Sequence, residues 1–216
     1  MNLPFYSIPR LESEGCMIAI GGFINIGIVF YEAIHLPNTF RQLSDYLAQK
    51  DMSITKVKFS QDPDGETWIE HSVKENIIKD DDFSGYYTEF ELSGLSSKLK
   101  EMTINIQKET GYVGFVLCLK WGEVFSHDVV HLQQDIVRCV VELYHTLPFE
   151  YAFIGHEIEV EIRPDEFEKC LQKHHDFPVG LIGKGDYIDI YYGDVAIDGL
   201  SLQKRGKECL KIEREQ

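Results

Sequence analysis

Short segments with strand character recur along the chain, and turn residues separate them. Apolar and charged residues alternate perfectly at residues 157–163, where Ile158, Val160 and Ile162 share one side. Because successive side chains of a strand point to opposite faces, this segment is the clearest predicted strand. The other predicted strands are residues 16–20, 23–31, 54–59, 67–71, 86–92, 103–107, 112–121, 179–182 and 187–192.

Glycines predict how some of these strands are joined. Gly21 and Gly22 can adopt the positive φ that a tight turn requires, so residues 16–20 and 23–31 are predicted to form a hairpin. A second hairpin is predicted around Gly111. Residues 183–186, Gly-Lys-Gly-Asp, are interpreted as a hairpin turn, because no phosphate-binding motif surrounds them.

Helical periodicity is present in four further segments. Asn38 is predicted to cap a helix that runs to Lys50, and Phe40, Leu43 and Leu47 form its apolar stripe. The other predicted helices are residues 95–102, residues 126–147 with Ser126 as cap, and a short helix that begins at Pro164.

The order of these elements predicts the fold class. A hairpin, a capped helix and further strands occur in that order twice, beginning near Cys16 and again near Thr103. We therefore expect an α+β fold with largely antiparallel sheets and three to four helices. We expect one domain over residues 1–216, and the alternative is two similar subdomains, residues 1–95 and 96–216. The charged tail from Gln203 is predicted to fray.

The cysteines and the N-terminus predict the compartment. Five cysteines are spread along the chain without a CxxC pair, which disfavours a disulfide framework or a zinc site. They are interpreted as small apolar residues, and Cys118, Cys139 and Cys170 are predicted to be buried. Glu12 and Glu14 stand where a signal peptide would have basic residues, so we expect a cytoplasmic protein with free thiols.

Acidic residues exceed basic ones and give a formal net charge of −15. Residues 61–92 contain 10 acidic against 2 basic residues, and residues 126–168 also contain 10 against 2. Such concentrated negative charge disfavours binding to nucleic acids and to anionic membranes, because like charges would meet. It favours a basic partner, and the alternative is that the acidic surface only maintains solubility.

Three groups of residues are predicted to bind such a partner, because carboxylates can steer a basic protein and aromatic side chains can anchor it. The first group is a carboxylate row on the charged side of the strand predicted at residues 157–163. The second is a run of three aspartates, and the third is a strand that combines tyrosines with a carboxylate. Their members are Glu157, Glu159 and Glu161, then Asp80, Asp81 and Asp82, and then Tyr187, Asp189 and Tyr191. Tyr87, Glu89 and Glu91 are predicted to share another face of the same mixed acidic and aromatic kind.

Enzymatic alternatives depend mainly on histidines. His127, His131 and Asp135 lie at i, i+4 and i+8 of the long predicted helix, a spacing that could hold a metal ion. The same side is polar throughout, and Arg138 is expected to bridge Asp135 and Glu142 there, which favours a solvated helix face. We find no catalytic motif, and we expect no bound metal and no cofactor.

Two segments resemble parts of bacterial immunity proteins, which neutralise polymorphic or contact-dependent toxins. They are YAFIGHEIEVEIRPDEFE at residues 151–168 and GKGDYIDIYYGDVAIDG at residues 183–199. The resemblance implies a non-enzymatic, cytoplasmic protein that docks on a cognate toxin and occludes its active site. Because many such toxins act on nucleic acids, it also implies that the toxin surface is basic.

Two other functions stay open at this point. One is a metal-dependent enzyme that uses His127 and His131, and the other is an interaction module without a toxin. A gene placed directly downstream of a toxin gene would favour the immunity function over both.

Overall fold

The computed structural model describes residues 22–94, 101–120, 129–173, 177–193 and 206–212. Within these ranges there are ten strands, three α-helices and one 3-10 turn, Asp80–Phe83. The strands are β1 (Phe23–Tyr31), β2 (Ser53–Ser60), β3 (Trp68–Ser72), β4 (Thr88–Ser93), β5 (Glu101–Glu109), β6 (Tyr112–Lys120), β7 (Tyr151–His156), β8 (Val179–Gly183), β9 (Tyr187–Tyr192) and β10 (Gly206–Lys211). The helices are α1 (Leu36–Ala48), α2 (Val129–Thr146) and α3 (Pro164–Lys173).

The ten strands form one sheet in the order β10-β9-β8-β7-β1-β6-β5-β4-β2-β3. Every neighbouring pair is antiparallel. The predicted antiparallel pairing is therefore confirmed, but the α+β class is wrong, because a single sheet dominates the described residues. Local periodicity identified helices and strands one at a time and could not show that all the strands share one sheet.

One side of the sheet, which we call the helical face, is covered by α1 and α2. Phe40, Leu43 and Leu47 of α1 are buried against it, as their spacing predicts. The N-cap is His35 rather than Asn38, because the His35 Nδ1 accepts the Asn38 N–H at 3.4 Å. The sheet contributes alternate residues of its strands to this core, among them Ile24, Ile28, Phe90, Ile104, Phe115, Ile154 and Leu181.

The opposite side, which we call the loop face, is covered only in part by the described residues. The segment 157–163, named the acidic loop from here on, lies with α3 on β6, β1, β7 and β8. The strand predicted for this segment is wrong, because it forms no ladder and Glu157 has a φ of 54°. Both edges of the preceding strand β7 are already paired with β1 and β8. The alternation instead reflects a loop that turns Ile158, Val160 and Ile162 towards the sheet.

Other predicted elements have mixed outcomes. The hairpin between residues 112–121 and the preceding strand is confirmed as β5–β6, with Gly111 at φ 89° in its turn. The hairpin predicted around Gly21 and Gly22 is wrong, because both edges of β1 pair with β6 and β7. Residues 16–20 lie outside the described residues, as do residues 95–100 of the helix predicted at residues 95–102, whose last two residues belong to β5 instead. Ser126, the predicted cap of the long helix, also lies outside them.

The predicted frayed tail is also wrong where the structure describes it. Residues 206–211 form β10, which pairs with β9 over six residues. The division into subdomains at residue 95 stays a prediction, although the sheet continues across that boundary, since β1 lies between β6 and β7.

The four described cysteines, Cys118, Cys139, Cys170 and Cys209, form no disulfide bond. Cys118 is buried as predicted, whereas Cys139 is exposed on the outer side of α2. None of the described helices is long and apolar enough to cross a membrane.

Candidate partner-binding surface

The three glutamates of the acidic loop lie on the outer side of a firmly seated backbone. Glu157, Glu159 and Glu161 are exposed, while Val160 between them is only 2% exposed. None of the three carboxylates forms an ion pair with a described lysine or arginine. Their negative charge is therefore open to a partner.

Three side chains of the sheet hold the acidic loop in place. The Gln107 Oε1 accepts the Val160 N–H at 2.7 Å, and the Asn25 Nδ2 donates to the Ile158 carbonyl at 3.0 Å. The Tyr151 hydroxyl donates to the Ile162 carbonyl at 2.5 Å. Because these bonds satisfy backbone groups outside any ladder, the loop keeps one position without being a strand.

Beside the acidic loop, no described segment covers the loop face over β5, β4, β2 and β3, where most outward side chains are partly or fully exposed. We call this region the open face. The sheet surface there carries a row of ion pairs between neighbouring strands. Lys58 pairs with Glu89 at 2.6 Å and Lys56 pairs with Glu91 at 2.6 Å. Glu70 reaches Lys56 at 3.4 Å. Opposite charges on neighbouring strands neutralise each other here, so the open face carries less unpaired charge than the acidic loop.

Cys118 lies where the acidic loop meets the open face. Its thiol accepts a hydrogen bond from the Asn105 Nδ2 at 3.4 Å. Burial, together with the nearby Glu89 and Glu159 carboxylates, raises the pKa of the Cys118 thiol to about 11. Such a thiol is protonated at neutral pH and is a poor nucleophile. The cleft next to it, of about 370 Å³, is lined by Phe23, Thr55, Glu91, Leu92, Ser93, Met102, Thr103, Cys118 and Lys120.

Exposed aromatic side chains lie at the far end of the open face. Trp68 is 44% exposed and Tyr87 is 51% exposed. A Cβ built on Gly65 would lie 3.8 Å from both rings, so the two side chains converge on that residue. Trp68 is not among the residues predicted from the sequence, although its position next to the Asp-Pro-Asp-Gly turn and in phase with Glu70 could have indicated an exposed aromatic side chain.

The predicted group Asp80–Asp82 is largely engaged within the fold, on the helical side. Asp82 is 2% exposed, accepts the Lys79 N–H at 2.9 Å and lies 3.2 Å from the His71 Nε2. Asp80 pairs with Arg41 of α1. These contacts tie the 3-10 turn to β3 and α1, and they leave Asp81 as the member without a described ion pair.

The predicted group on β9 is also partly engaged. Asp189 is 7% exposed and pairs with Lys207 of β10 at 2.8 Å. Burial acts to raise the pKa of Asp189, but hydrogen bonds from Lys207 and Cys209 outweigh it and hold that pKa below its ordinary value. The Tyr191 hydroxyl donates to Glu168 at 3.0 Å, whereas Tyr187 is 46% exposed.

The structure does not bring the three predicted groups together. The acidic loop lies near the middle of the loop face, and β9 lies towards the β10 edge of the same face. Asp80–Asp82 contact α1 and β3 on the other side of the sheet. A partner of ordinary size on the loop face can therefore reach the acidic loop without touching Asp82.

The residues of the metal alternative are described only in part. His127 and the side chain of His131 lie outside the described residues. Asp135 pairs with Arg138 at 3.2 Å as predicted, but Glu142 pairs with Lys50 at 2.8 Å rather than with Arg138. Among the described residues, no three histidine, cysteine or carboxylate side chains are grouped to hold a metal ion.

Comparisons with known proteins give one family. A family model described as immunity protein 64 matches residues 15–203. No curated protein matches the sequence. Among solved structures, a Pseudomonas aeruginosa T6SS protein is similar at 13% identity with a TM-score of 0.33, over 62% of this chain and 40% of that protein. The chain therefore spans less than half the length of that protein, and a similarity at this level supports no argument.

Proposed function

The chain belongs to the immunity protein 64 family, and on that basis we propose that it binds a cognate bacterial toxin and neutralises it without catalysing a reaction. The match extends over residues 15–203, so the proposed role belongs to the sheet from β1 to β9 rather than to a short segment of it. The mechanism we propose is occlusion, in which the bound protein covers the active site of the toxin.

The toxin surface is proposed to be basic. The observation that supports this most is the acidic loop, whose three exposed carboxylates have no described cationic partner. A net charge of −15 adds a long-range attraction for a basic protein. Complementary charge speeds encounter and excludes wrong partners, whereas packed apolar contacts supply most of the binding energy.

The place of action is proposed to be the cytoplasm. The described cysteines form no disulfide, which is compatible with a reducing compartment, where disulfides rarely persist. Neither nucleic acid nor a membrane surface is proposed as a partner, because the acidic loop would face like charges on both.

Co-expression with the toxin tests the proposal. Cells that produce the toxin domain encoded directly upstream of this gene should survive when the full chain is also produced, and the purified chain should inhibit the purified toxin at one-to-one stoichiometry. A toxin domain from an unrelated system provides the control, since its toxicity should be unchanged. Equal killing with and without the chain, together with no binding, would refute the proposed function.

A further inference from the structure

We propose that Trp68 and Tyr87 form the anchor on which a cationic loop of the toxin docks, an inference that rests on the proposed function. We call this pair the aromatic anchor. Aromatic side chains with a rigid, exposed position dominate the energetics of many interfaces, because they bury a large area at a low cost in conformational entropy.

The turn before β3 holds Trp68 in position. The Asp62 carboxylate accepts the N–H groups of Glu66 at 2.9 Å and Thr67 at 2.7 Å. These bonds also lower the pKa of Asp62. The Trp68 Nε1 donates to the Gly65 carbonyl at 2.7 Å, which fixes the orientation of the indole ring. The ring is therefore already positioned before a partner arrives.

Tyr87 has an equally fixed backbone. The Ser60 N–H donates to the Tyr87 carbonyl at 2.9 Å, and the Tyr86 N–H donates to the Ser60 carbonyl at 3.0 Å. The Lys108 Nζ donates to the Gly85 carbonyl at 2.8 Å and closes the loop from the other side. An exposed tyrosine on such a backbone offers a preformed contact surface.

The charge around the aromatic anchor indicates the chemistry of the partner. Asp64 and Glu66 of the turn are exposed and form no described ion pair. The Lys58 Nζ, which pairs with Glu89, lies 5.7 Å from the centre of the Trp68 ring, so a cation of the partner would contact the part of the ring that is exposed to solvent. A guanidinium group can stack on an aromatic face while it binds carboxylates, so an arginine-bearing loop fits this surface.

A second copy of this chain fits the same surface poorly. Each copy would bring a net charge of −15 and its own Asp64 and Glu66 to the contact. Like charges would then face each other across the interface. The aromatic anchor therefore favours a basic partner over self-association.

One partner can contact the acidic loop and the aromatic anchor together. Both lie on the loop face, since Trp68 is in phase with Glu70 on β3 and the acidic loop packs on β6. Four strand spacings separate β3 from β6, or about 19 Å at ~4.8 Å per strand. A standard interface of about 800 Å² per partner extends over that distance.

Alanine substitution of the aromatic anchor tests the inference. Trp68→Ala and Tyr87→Ala should each weaken binding of the full chain to the toxin domain encoded upstream by about 30-fold, a typical effect for a hot-spot residue. Leu210→Ala is the matched control, because Leu210 is a large apolar side chain of similar exposure (39%) on β10, at the opposite edge of the sheet, and its loss should change the dissociation constant less than threefold. Calorimetric titration supplies the constants, and thermal melting shows that each variant is folded.

A second variant tests the contribution of the carboxylates beside the aromatic anchor rather than that of the aromatic rings. Asp64→Lys combined with Glu66→Lys changes two exposed side chains and should slow association with the same toxin domain about tenfold at low salt. This measurement remains decisive if one alanine variant fails to fold.

The outcomes separate the inference from the proposed function. If the parent protein does not bind the toxin domain, the proposed function is refuted and the inference with it. If the parent binds, and the folded alanine and lysine variants bind as tightly and as fast as the parent, the inference alone is refuted. A change in oligomeric mass caused by Trp68→Ala without loss of toxin binding would assign the surface to contacts between copies and would also refute the inference.

Discussion

At the scale of single residues, glycines of the loop face leave room for the layer that covers the sheet. A Cβ on Gly114 would lie 2.4 Å from the Val160 Cγ2, and a Cβ on Gly155 would lie 1.9 Å from the Ile158 Cδ1. These distances are too short for a real contact, so the acidic loop sits directly on strand backbone. Side chains at these positions would lift the loop and its carboxylates away from the sheet.

Gly114→Ala should therefore destabilise the protein by roughly 1–2 kcal/mol, because overpacking exceeds the gain from a less flexible unfolded chain. Val160→Ala removes the clashing methyl groups, so the double variant should lose less stability than the sum of the two single variants. Urea unfolding of all four proteins measures this coupling. Strictly additive losses would mean that the two residues are not in contact.

The second prediction at this scale concerns the cysteines and the effect of a reductant on thermal stability. Because the four described cysteines form no disulfide, a reductant should leave the melting temperature unchanged. Differential scanning calorimetry with and without reductant checks this. A clear drop in melting temperature on reduction would reveal a stabilising disulfide and would contradict the expected reducing compartment.

At the scale of elements, sequence periodicity predicted most strands but failed where tertiary contacts decide the conformation. The strands predicted at residues 23–31 and 187–192 match β1 and β9 residue for residue. The alternation in the acidic loop is real, yet it comes from packing on the sheet rather than from strand pairing. Conversely, β10 has no buried side chain along its length, so no apolar pattern in the sequence predicted it. Its pairing with β9 and the Asp189–Lys207 ion pair hold it in the sheet.

The ion pair that holds β10 predicts a pH dependence. The folded pKa of Asp189 lies below its ordinary value of 3.8, so the charged carboxylate stabilises the fold above that value, and the contribution is lost as the pH falls through the folded pKa. Asp189→Asn should cost roughly 1 kcal/mol at pH 7, since Lys207 is about half exposed. The stability difference between parent and variant should be constant above about pH 5 and shrink below pH 4.

Unfolding by urea at several pH values measures that difference, and hydrogen exchange of the β10 amides localises it. A difference that is the same at pH 3 and pH 7 would mean that Asp189 does not hold β10 through its charge.

At the scale of the whole molecule, the order of the strands could not be predicted, and the location of the binding surface depends on that order. The acidic loop and Trp68 are far apart in sequence but lie on one face, because β1 and β6 meet in the middle of the sheet and β2 and β3 follow on one side. The excess of negative charge could be counted from the sequence. The sequence could not show which carboxylates are already paired within the fold. Asp82, which contacts His71, and Asp189, which pairs with Lys207, are two such carboxylates.

The central claim is that the acidic loop steers a basic toxin to the loop face. Changing Glu157, Glu159 and Glu161 together to Lys tests it, and changing the exposed Asp45, Glu75 and Asp186 to Lys gives a control with the same net charge. Both variants should keep the stability of the parent, because all six side chains are exposed.

The decisive measurement is the association rate constant with the toxin domain encoded upstream, taken as a function of salt concentration. For the parent and the control, association should slow about tenfold or more as the Debye length falls from ~10 Å at 0.1 M to ~3 Å at 1 M salt. The acidic-loop variant should associate slowly at low salt, depend little on salt, and protect cells poorly. If it instead associates as fast as the control and protects cells as well as the parent, the three carboxylates are only a solvated surface and the claim is wrong.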